Sequence, residues 1–224
     1  MDVAALISGG KDSALALHQA LKRGYNVRYL VTLIPQREDS WMFHYPNVEL
    51  TNLFAEACSI PLVKAETSGV REKELEDLKS LLNKLDIEGV VSGAIASTYQ
   101  KTRIDRICVE LGLKSITPLW HKDEKTLMET LISEGFSVIF TGVYAYGLDE
   151  KWLGRKLDQR ALRDLLALSK RYGISLVGEG GEYETLVLDA PYFRKRIKIL
   201  RARTIWRGES GYLLVEDACL EDKG

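Results

Sequence analysis

The sequence predicts an α/β protein built on an open parallel sheet of about five strands, with helices on both faces. Short apolar runs rich in branched residues alternate with segments whose apolar residues recur at helical spacing. Connections between them are short, as in repeated strand–helix units. This alternation is lost in the second half, which predicts a smaller α+β domain there. We therefore place the domains at residues 1–122 and 123–224.

In the first half, each strand is an apolar run that ends at a turn residue. The opening run has small or branched apolar residues throughout, as expected of a strand buried on both faces. Gly24 ends the first helix and Pro35 ends the second strand. Strands are predicted at residues 3–7, 27–33, 60–65, 89–93 and 116–120. Helices are predicted at residues 14–21, 47–58, 72–85 and 102–111.

The second half is more irregular. Helices are predicted at residues 123–135 and 159–172, strands at 137–143 and 182–188, and a hairpin turn at 207–211. Basic residues between positions 194 and 203 form the only local positive patch, which is either a solvated strand face or a surface for an acidic or RNA-bearing partner. The acidic end, residues 216–224, is predicted to fray.

Composition excludes several classes of protein. The chain has 31 basic and 32 acidic residues and a net charge of −1, so no overall field attracts nucleic acid or a membrane. The first strand follows Met1 and Asp2 without a signal peptide, and no apolar stretch is long enough to span a bilayer. The 3 cysteines lie far apart, which argues against a disulfide framework or a structural zinc site. We therefore expect a cytoplasmic protein with no membrane partner.

The strongest functional signal is the sequence SGGKDS between the first strand and the first helix. Two glycines allow close backbone approach, and the helix start supplies N–H groups and a positive dipole end. The lysine adds a charge, and the serine hydroxyls can donate hydrogen bonds. The pattern therefore predicts a phosphate site, although it is not a Walker A sequence and a merely capped glycine turn is the simpler alternative. Its residues are Ser8, Gly9, Gly10, Lys11, Asp12 and Ser13.

Two further segments follow strands of the predicted sheet and so end at the same edge, where α/β sheets bind ligands. The aromatic and polar loop at residues 37–45 could close over an adenine or a substrate, although a partly exposed loop histidine is the simpler interpretation of its His44. In residues 92–103, Gly93 permits close approach, and Tyr99 and Arg103 can share one helical face. Arg103 could pair there with phosphate or carboxylate.

A second dense signal lies at residues 177–185, where three glycines stand among three carboxylates. If this strand begins at Glu182, then Glu182 and Glu184 lie on one face, since side chains alternate along a strand. Such a pair can hold Mg²⁺ or act as a general base. A solvated acidic turn explains the composition equally well. We expect this segment to face the SGGKDS loop.

These motifs together resemble the diphthine–ammonia ligase family of the N-type ATP pyrophosphatases, in which SGGKDS is the PP-loop. The resemblance covers nearly the whole chain. Beyond the PP-loop, it is carried by SWMFH at 40–44, GAI at 93–95 with Tyr99, Gln100 and Arg103, PLW at 118–120 and GEGGEYET at 178–185. Trp41 is a mild departure, because tyrosine is more usual there. The implied fold of the first domain is adenine nucleotide alpha hydrolase-like.

The resemblance implies a specific reaction. Diphthine on translation elongation factor two would be amidated by ammonium, with ATP and Mg²⁺, through an acyl-adenylate that yields AMP and pyrophosphate. The implied catalytic residues are Lys11, Glu182, Glu184, Tyr99 and Arg103. The implied ATP-binding residues are Ser8, Gly9, Gly10, Lys11, Asp12, Ser13, Thr32, His44 and Gly93, with Asp12 and Glu184 on the metal. Eukaryotic versions carry extra domains, so a chain of this length is expected to be archaeal.

Other functions of PP-loop proteins remain open at the level of sequence. Thiolation of tRNA commonly uses a cysteine pair or a metal cluster, which three isolated cysteines do not suggest. Lysidine-type tRNA modification would need a large basic surface, and only residues 194–203 offer one. A non-catalytic ATP sensor is a third alternative. Residue 2 is Asp rather than the cysteine of a glutaminase, so free ammonium or a separate donor is expected. A homo-oligomer is compatible with the sequence.

Overall fold

A computed structural model describes residues 1–35, 50–67 and 71–224. The loop predicted at residues 37–45, including His44, lies outside the described residues. The chain divides into two compact units. The first consists of Met1–Ser8 and Asp12–Trp120, and the second consists of Gly9–Lys11 and His121–Gly224.

The first unit is a parallel sheet with strand order β3-β2-β1-β4-β5. Its strands are β1 (Asp2–Leu6), β2 (Asn26–Pro35), β3 (Leu62–Thr67), β4 (Gly89–Val91) and β5 (Lys114–Ile116). Its helices are α1 (Lys11–Lys22), α2 (Leu50–Cys58), α3 (Arg71–Leu82) and α4 (Thr98–Leu111). Since β2 and β4 flank β1 on opposite sides, the strand order reverses between β1 and β4, which is where such sheets bind ligands.

The core explains why this sheet is covered on both faces. On one face, side chains from β1, β2 and β4 form a buried cluster with α3 and α4: Ala4, Val31, Leu78, Leu82, Val90, Ile107 and Cys108. Val3 and Ala5 alternate with Ala4 and are also buried, so they point to the opposite face. Right-handed crossovers place α1 and α2 there. The predicted parallel α/β sheet with helices on both faces is confirmed.

Among the element boundaries that differ from the sequence prediction, two have a clear local cause. The predicted position of the fifth strand, residues 116–120, is wrong, because β5 ends at Ile116. The following residues turn instead: the Trp120 N–H donates to the Thr117 carbonyl, and Pro118 has no N–H for a ladder. The fourth helix begins at Thr98 rather than 102, because the Ser97 side chain caps it by accepting from the Gln100 N–H.

The second unit contains an antiparallel sheet of order β7-β6-β9-β8. Its strands are β6 (Ser137–Val143), β7 (Tyr183–Asp189), β8 (Lys195–Arg207) and β9 (Ser210–Asp222). Its helices are α5 (Glu124–Ser133) and α6 (Gln159–Tyr172), with a 3₁₀ turn at Glu150–Trp152. Asp123 and Asp158 cap the two helices, and hydrogen bonds from helix N–H groups lower the pKa of both carboxyls.

The prediction that residues 216–224 fray is wrong. β9 pairs with β8 along its whole length, from Arg207 opposite Ser210 to Lys195 opposite Asp222. Charges on the two strands also compensate one another, since Arg196 and Lys198 pair with Glu221, and Arg201 and Arg203 with Glu216. The predicted basic patch is therefore partly neutralised by its own hairpin, which weakens its case as an RNA-binding surface.

Cysteine burial gives a first testable expectation. Cys58 and Cys108 are buried and Cys219 is half-buried. Burial, aided by the Asp105 charge, raises the pKa of the Cys108 thiol to about 11, so little reactive thiolate forms at pH 8. In the native protein, a thiol reagent at pH 8 is expected to modify Cys219 first, with the other two reacting after unfolding. Cys219→Ser should remove the fast phase; a second fast thiol in the wild type would contradict this assignment.

Among the residues described, no helix has the length and apolar character needed to span a membrane.

Candidate active site

The SGGKDS turn connects β1 to α1. The Ser13 hydroxyl oxygen accepts the Ser8 N–H at 3.3 Å and lies 3.3 Å from the Ser8 hydroxyl, which fixes the turn. Gly9 has a φ of +86°, a conformation that favours glycine. The helix starts at Lys11, inside the motif, so the first-turn N–H groups belong to motif residues. Backbone N–H groups at a helix start form the kind of cradle that binds phosphate.

Gly93 lies against this helix start. A Cβ atom at position 93 would lie 2.8 Å from the carbonyl carbon of Asp12 and 2.8 Å from the nitrogen of Ser13. These distances are shorter than real Cβ contacts, so only glycine lets the segment after β4 approach the turn after β1. The two loops that flank the reversal of strand order therefore meet through backbone atoms.

Two hydroxyls near this edge of the sheet were assigned no role from the sequence. Ser92 directly follows β4 and is 5% exposed, and Thr67 is the last residue of β3 and is 1% exposed. Neither hydroxyl oxygen has a hydrogen-bond partner among the described residues. A buried hydroxyl without a partner is unusual and requires an explanation, of which ligand binding is one. Thr32, predicted to bind ATP, is also buried, in β2.

Lys11 belongs to the second unit, where it contacts residues between positions 177 and 185. Its side chain is only 2% exposed, its ammonium donates to the Val177 carbonyl, and it lies 5.2 Å from the centre of the Tyr183 ring. Its backbone N–H donates to the Thr185 hydroxyl at 3.1 Å. Because an ammonium has three donors, it can bond more than one acceptor at once, as binding of phosphate oxygens would require. The structure thus places the motif lysine against the glycine- and glutamate-rich segment, as the sequence analysis expected.

In that segment the two glutamates have different partners. The Glu182 carboxylate turns back to accept the Ser175 N–H at 3.0 Å through Oε1, while Oε2 is buried with no partner among the described residues. Glu184, on β7, interacts with the hydroxyl of Tyr144, and burial together with this carboxylate raises the pKa of that tyrosine. The proposed joint role of the two carboxylates stays a prediction.

Gly142 explains how Tyr144 reaches Glu184. It lies opposite Glu184 in the β6–β7 register, and a Cβ atom there would lie 2.6 Å from the Tyr144 hydroxyl oxygen. The glycine therefore leaves space for the tyrosine ring to fold back over its own strand. Sequence reasoning missed Tyr144 because the signal, a glycine inside an apolar strand, identifies a close approach without identifying its partner.

Tyr99 and Arg103 lie one turn apart on α4, as predicted. The Arg103 guanidinium carbon is 3.2 Å from the centre of the Tyr99 ring, so the two groups stack. Tyr99 is 45% exposed. Their role in orienting a substrate stays a prediction.

A parallel sheet with this strand order, carrying a glycine–lysine turn at its switch point, defines an α/β nucleotide-binding protein of the PP-loop class. Two family models match the chain: the diphthamide synthase N-terminal domain over residues 1–115 and the diphthamide synthase C-terminal domain over residues 123–220. The chain therefore belongs to the diphthamide synthase family.

Similar proteins named diphthine–ammonia ligase occur in several eukaryotes. The relative from Schizosaccharomyces pombe is 38% identical over the whole chain, which spans 40% of that protein. Those from Bos taurus and Homo sapiens are 37% and 36% identical, and the chain spans 94% of each. Relatives from Bos taurus and Homo sapiens therefore have little beyond the matched region, and the expectation of an archaeal source stays a prediction.

One solved structure is a more distant match. It is described as a predicted subunit of a tRNA methyltransferase from Methanocaldococcus jannaschii, and it aligns with 85% of this chain and 97% of its own. At 19% identity and a TM-score of 0.47, this likeness does not inform function.

Proposed function

We propose that this protein amidates diphthine with ammonium, using ATP and releasing AMP and pyrophosphate. The observation that supports this function best is the placement of Lys11, from the first motif, against Val177 and Thr185 of the second, in a chain of the diphthamide synthase family. We assign ATP binding to the domain of residues 1–122 and substrate chemistry to that of residues 123–224.

The chemistry explains why ATP is needed. A carboxylate resists attack by an amine because its oxygen is a poor leaving group, and transfer to AMP replaces that oxygen with a good one. Negative charge then grows on the departing pyrophosphate, which Lys11 and the N–H groups at the start of α1 would stabilise. Ser8 and Ser13 would donate from their hydroxyls, and Tyr99 and Arg103 would orient the diphthine or the adenylate.

We propose Mg²⁺ as a companion of ATP. Within residues 1–35, 50–67 and 71–224, no three side chains of His, Cys, Asp or Glu come together to hold a metal. Mg²⁺ on nucleotide phosphates needs only one or two carboxylates, because it retains several waters. We assign Asp12, in the first turn of α1, and Glu184 to this role. Bound there, the ion would neutralise phosphate charge.

Glu182 is the better candidate for the base that deprotonates ammonium. Oε1 is occupied by the Ser175 N–H, whereas Oε2 is a buried acceptor without a partner among the described residues. Such an acceptor is costly to leave unpaired, by about 1–3 kcal/mol, so a cationic donor is a suitable occupant. Glu184 already has the Tyr144 hydroxyl as a neighbour.

Glu182→Gln tests this assignment. The amide retains an oxygen for the Ser175 N–H and removes the basic group, so amidation is expected to fall by about 100-fold or more while ATP affinity is kept. The measurements are steady-state amidation and nucleotide affinity by calorimetry. Glu179→Gln, in the same loop, is the matched control and should stay near wild type. Normal amidation by Glu182→Gln would transfer the role to Glu184.

Elongation factor two bearing diphthine is the protein substrate that we propose, and ammonium is the nitrogen donor. Mixing the protein with ATP, ammonium and this factor should release pyrophosphate and convert the diphthine acid into its amide, as detected by mass spectrometry. Omitting the factor should abolish sustained pyrophosphate release. ATP binding without turnover under every condition would instead indicate a sensor, and modification of tRNA would indicate the tRNA-modifying alternative.

A further inference from the structure

In the segment from Ser175 to Gly181, the Val177 carbonyl accepts a hydrogen bond from the Lys11 ammonium. Both peptide groups that meet at Val177 are fixed. In the preceding peptide, the Leu176 carbonyl accepts from the Tyr183 hydroxyl, and the Val177 N–H donates to the Ser175 hydroxyl oxygen at 3.3 Å. In the following peptide, the Gly178 N–H donates to the Ser175 carbonyl at 3.2 Å. The direction of the Val177 carbonyl therefore depends on Ser175.

Glu124, in the first turn of α5, fixes the orientation of the Ser175 hydroxyl. Its Oε2 accepts the Leu176 N–H at 2.7 Å, and its Oε1 lies 3.1 Å from the Ser175 hydroxyl, which donates to it. A serine hydroxyl has one proton and two lone pairs. With the proton directed to Glu124, both lone pairs are left for the N–H groups of Val177 and Glu179. An anionic acceptor at position 124 thus sets the orientation on which these bonds depend.

We propose that Glu124 is a positioning residue for the PP-loop lysine: through Ser175 and Val177, its carboxylate holds the Lys11 ammonium in the orientation that binds pyrophosphate. This inference rests on the proposed function only for the identity of the anion. Glu124 contacts neither Lys11 nor a phosphate in this scheme, and it acts only through the loop.

The test measures pyrophosphate affinity by calorimetry, which is independent of whether the chain amidates diphthine. Glu124→Ala is expected to weaken pyrophosphate binding on the order of tenfold, because the loop loses two charge-assisted hydrogen bonds. Glu129→Ala, on the same helix and paired with Lys125, is the matched control and should bind as the wild type does. Glu124→Gln retains one acceptor oxygen instead of two and should give an intermediate loss of pyrophosphate affinity.

A double-mutant cycle separates positioning from general support of the fold. In a Lys11→Met background, Glu124→Ala should cause no further loss of pyrophosphate affinity, since the lysine through which it acts is gone. An equal loss in both backgrounds, or wild-type affinity in Glu124→Ala, would overturn the proposal. If Glu124→Ala does not fold, Glu124→Gln takes its place in the same cycle. Unchanged pyrophosphate affinity in Glu124→Gln would then overturn the proposal. A protein that binds pyrophosphate as proposed but does not amidate diphthine would refute the function alone.

Discussion

Replacing Lys11 with methionine is expected to lower kcat for ATP-dependent amidation by about 100- to 1,000-fold, the loss typical of removing one donor to developing charge. Methionine has a similar length and is apolar, so it can fill the same buried space near the Tyr183 ring. We therefore expect a folded protein with impaired chemistry. Steady-state amidation with saturating ATP, together with a thermal unfolding curve, measures the two effects separately.

Lys22→Met is the matched control for this substitution. Lys22 lies at the exposed end of the same helix and should tolerate the change with wild-type kcat. A Lys11→Met protein with wild-type kcat would show that the motif lysine has no role in the chemistry.

Gly93→Ala is expected to have the second largest effect, because it forces a methyl group to within 2.8 Å of the backbone at Asp12 and Ser13. Backbone atoms cannot rotate away, so the two loops must separate. We expect a loss of about 1–3 kcal/mol in the free energy of unfolding, as found for overpacking, and a loss of ATP affinity because the helix start moves. Urea unfolding and calorimetric titration with ATP measure the two changes.

Gly89→Ala provides the comparison for Gly93→Ala. Gly89 lies at the opposite end of β4, where a Cβ atom would lie 2.9 Å from the Lys114 carbonyl oxygen. This substitution creates a similar clash far from the SGGKDS turn, so it should destabilise the protein and leave ATP affinity near wild type in the folded fraction. Equal ATP affinity for Gly93→Ala and wild type would remove Gly93 from the binding site.

The parts of the molecule that sequence predicted well are those that depend on local patterns. An apolar run, two glycines and a periodic helix are adjacent in the chain, so β1, the turn and α1 could be inferred together. Gly93 was identified because a glycine after a buried strand indicates a close approach. Its partners Asp12 and Ser13 follow β1, which neighbours β4, and the edge where both strands end was predictable from parallel topology.

Contacts between distant parts of the chain could not be predicted in the same way. Glu124 accepts hydrogen bonds from residues 51 and 52 positions further along the chain. In the sequence it is recognisable only as an acidic residue in the first turn of a helix. Glu182 precedes β7 rather than lying within it, so alternation along a strand did not govern its side chain. The length of β9 was missed because its charged end gains stability only from cross-strand partners on β8.

The position of Gly9–Lys11 within the second unit has a consequence for synthesis of the protein. The Lys11 N–H and the Thr185 hydroxyl are separated by 174 positions in the chain. During translation, Lys11 is therefore synthesised well before β7, the strand that carries Thr185. Lys11 can therefore form its contact with Thr185 only after β7 has been synthesised. A chain truncated before β7 would contain the SGGKDS sequence but lack this partner of Lys11.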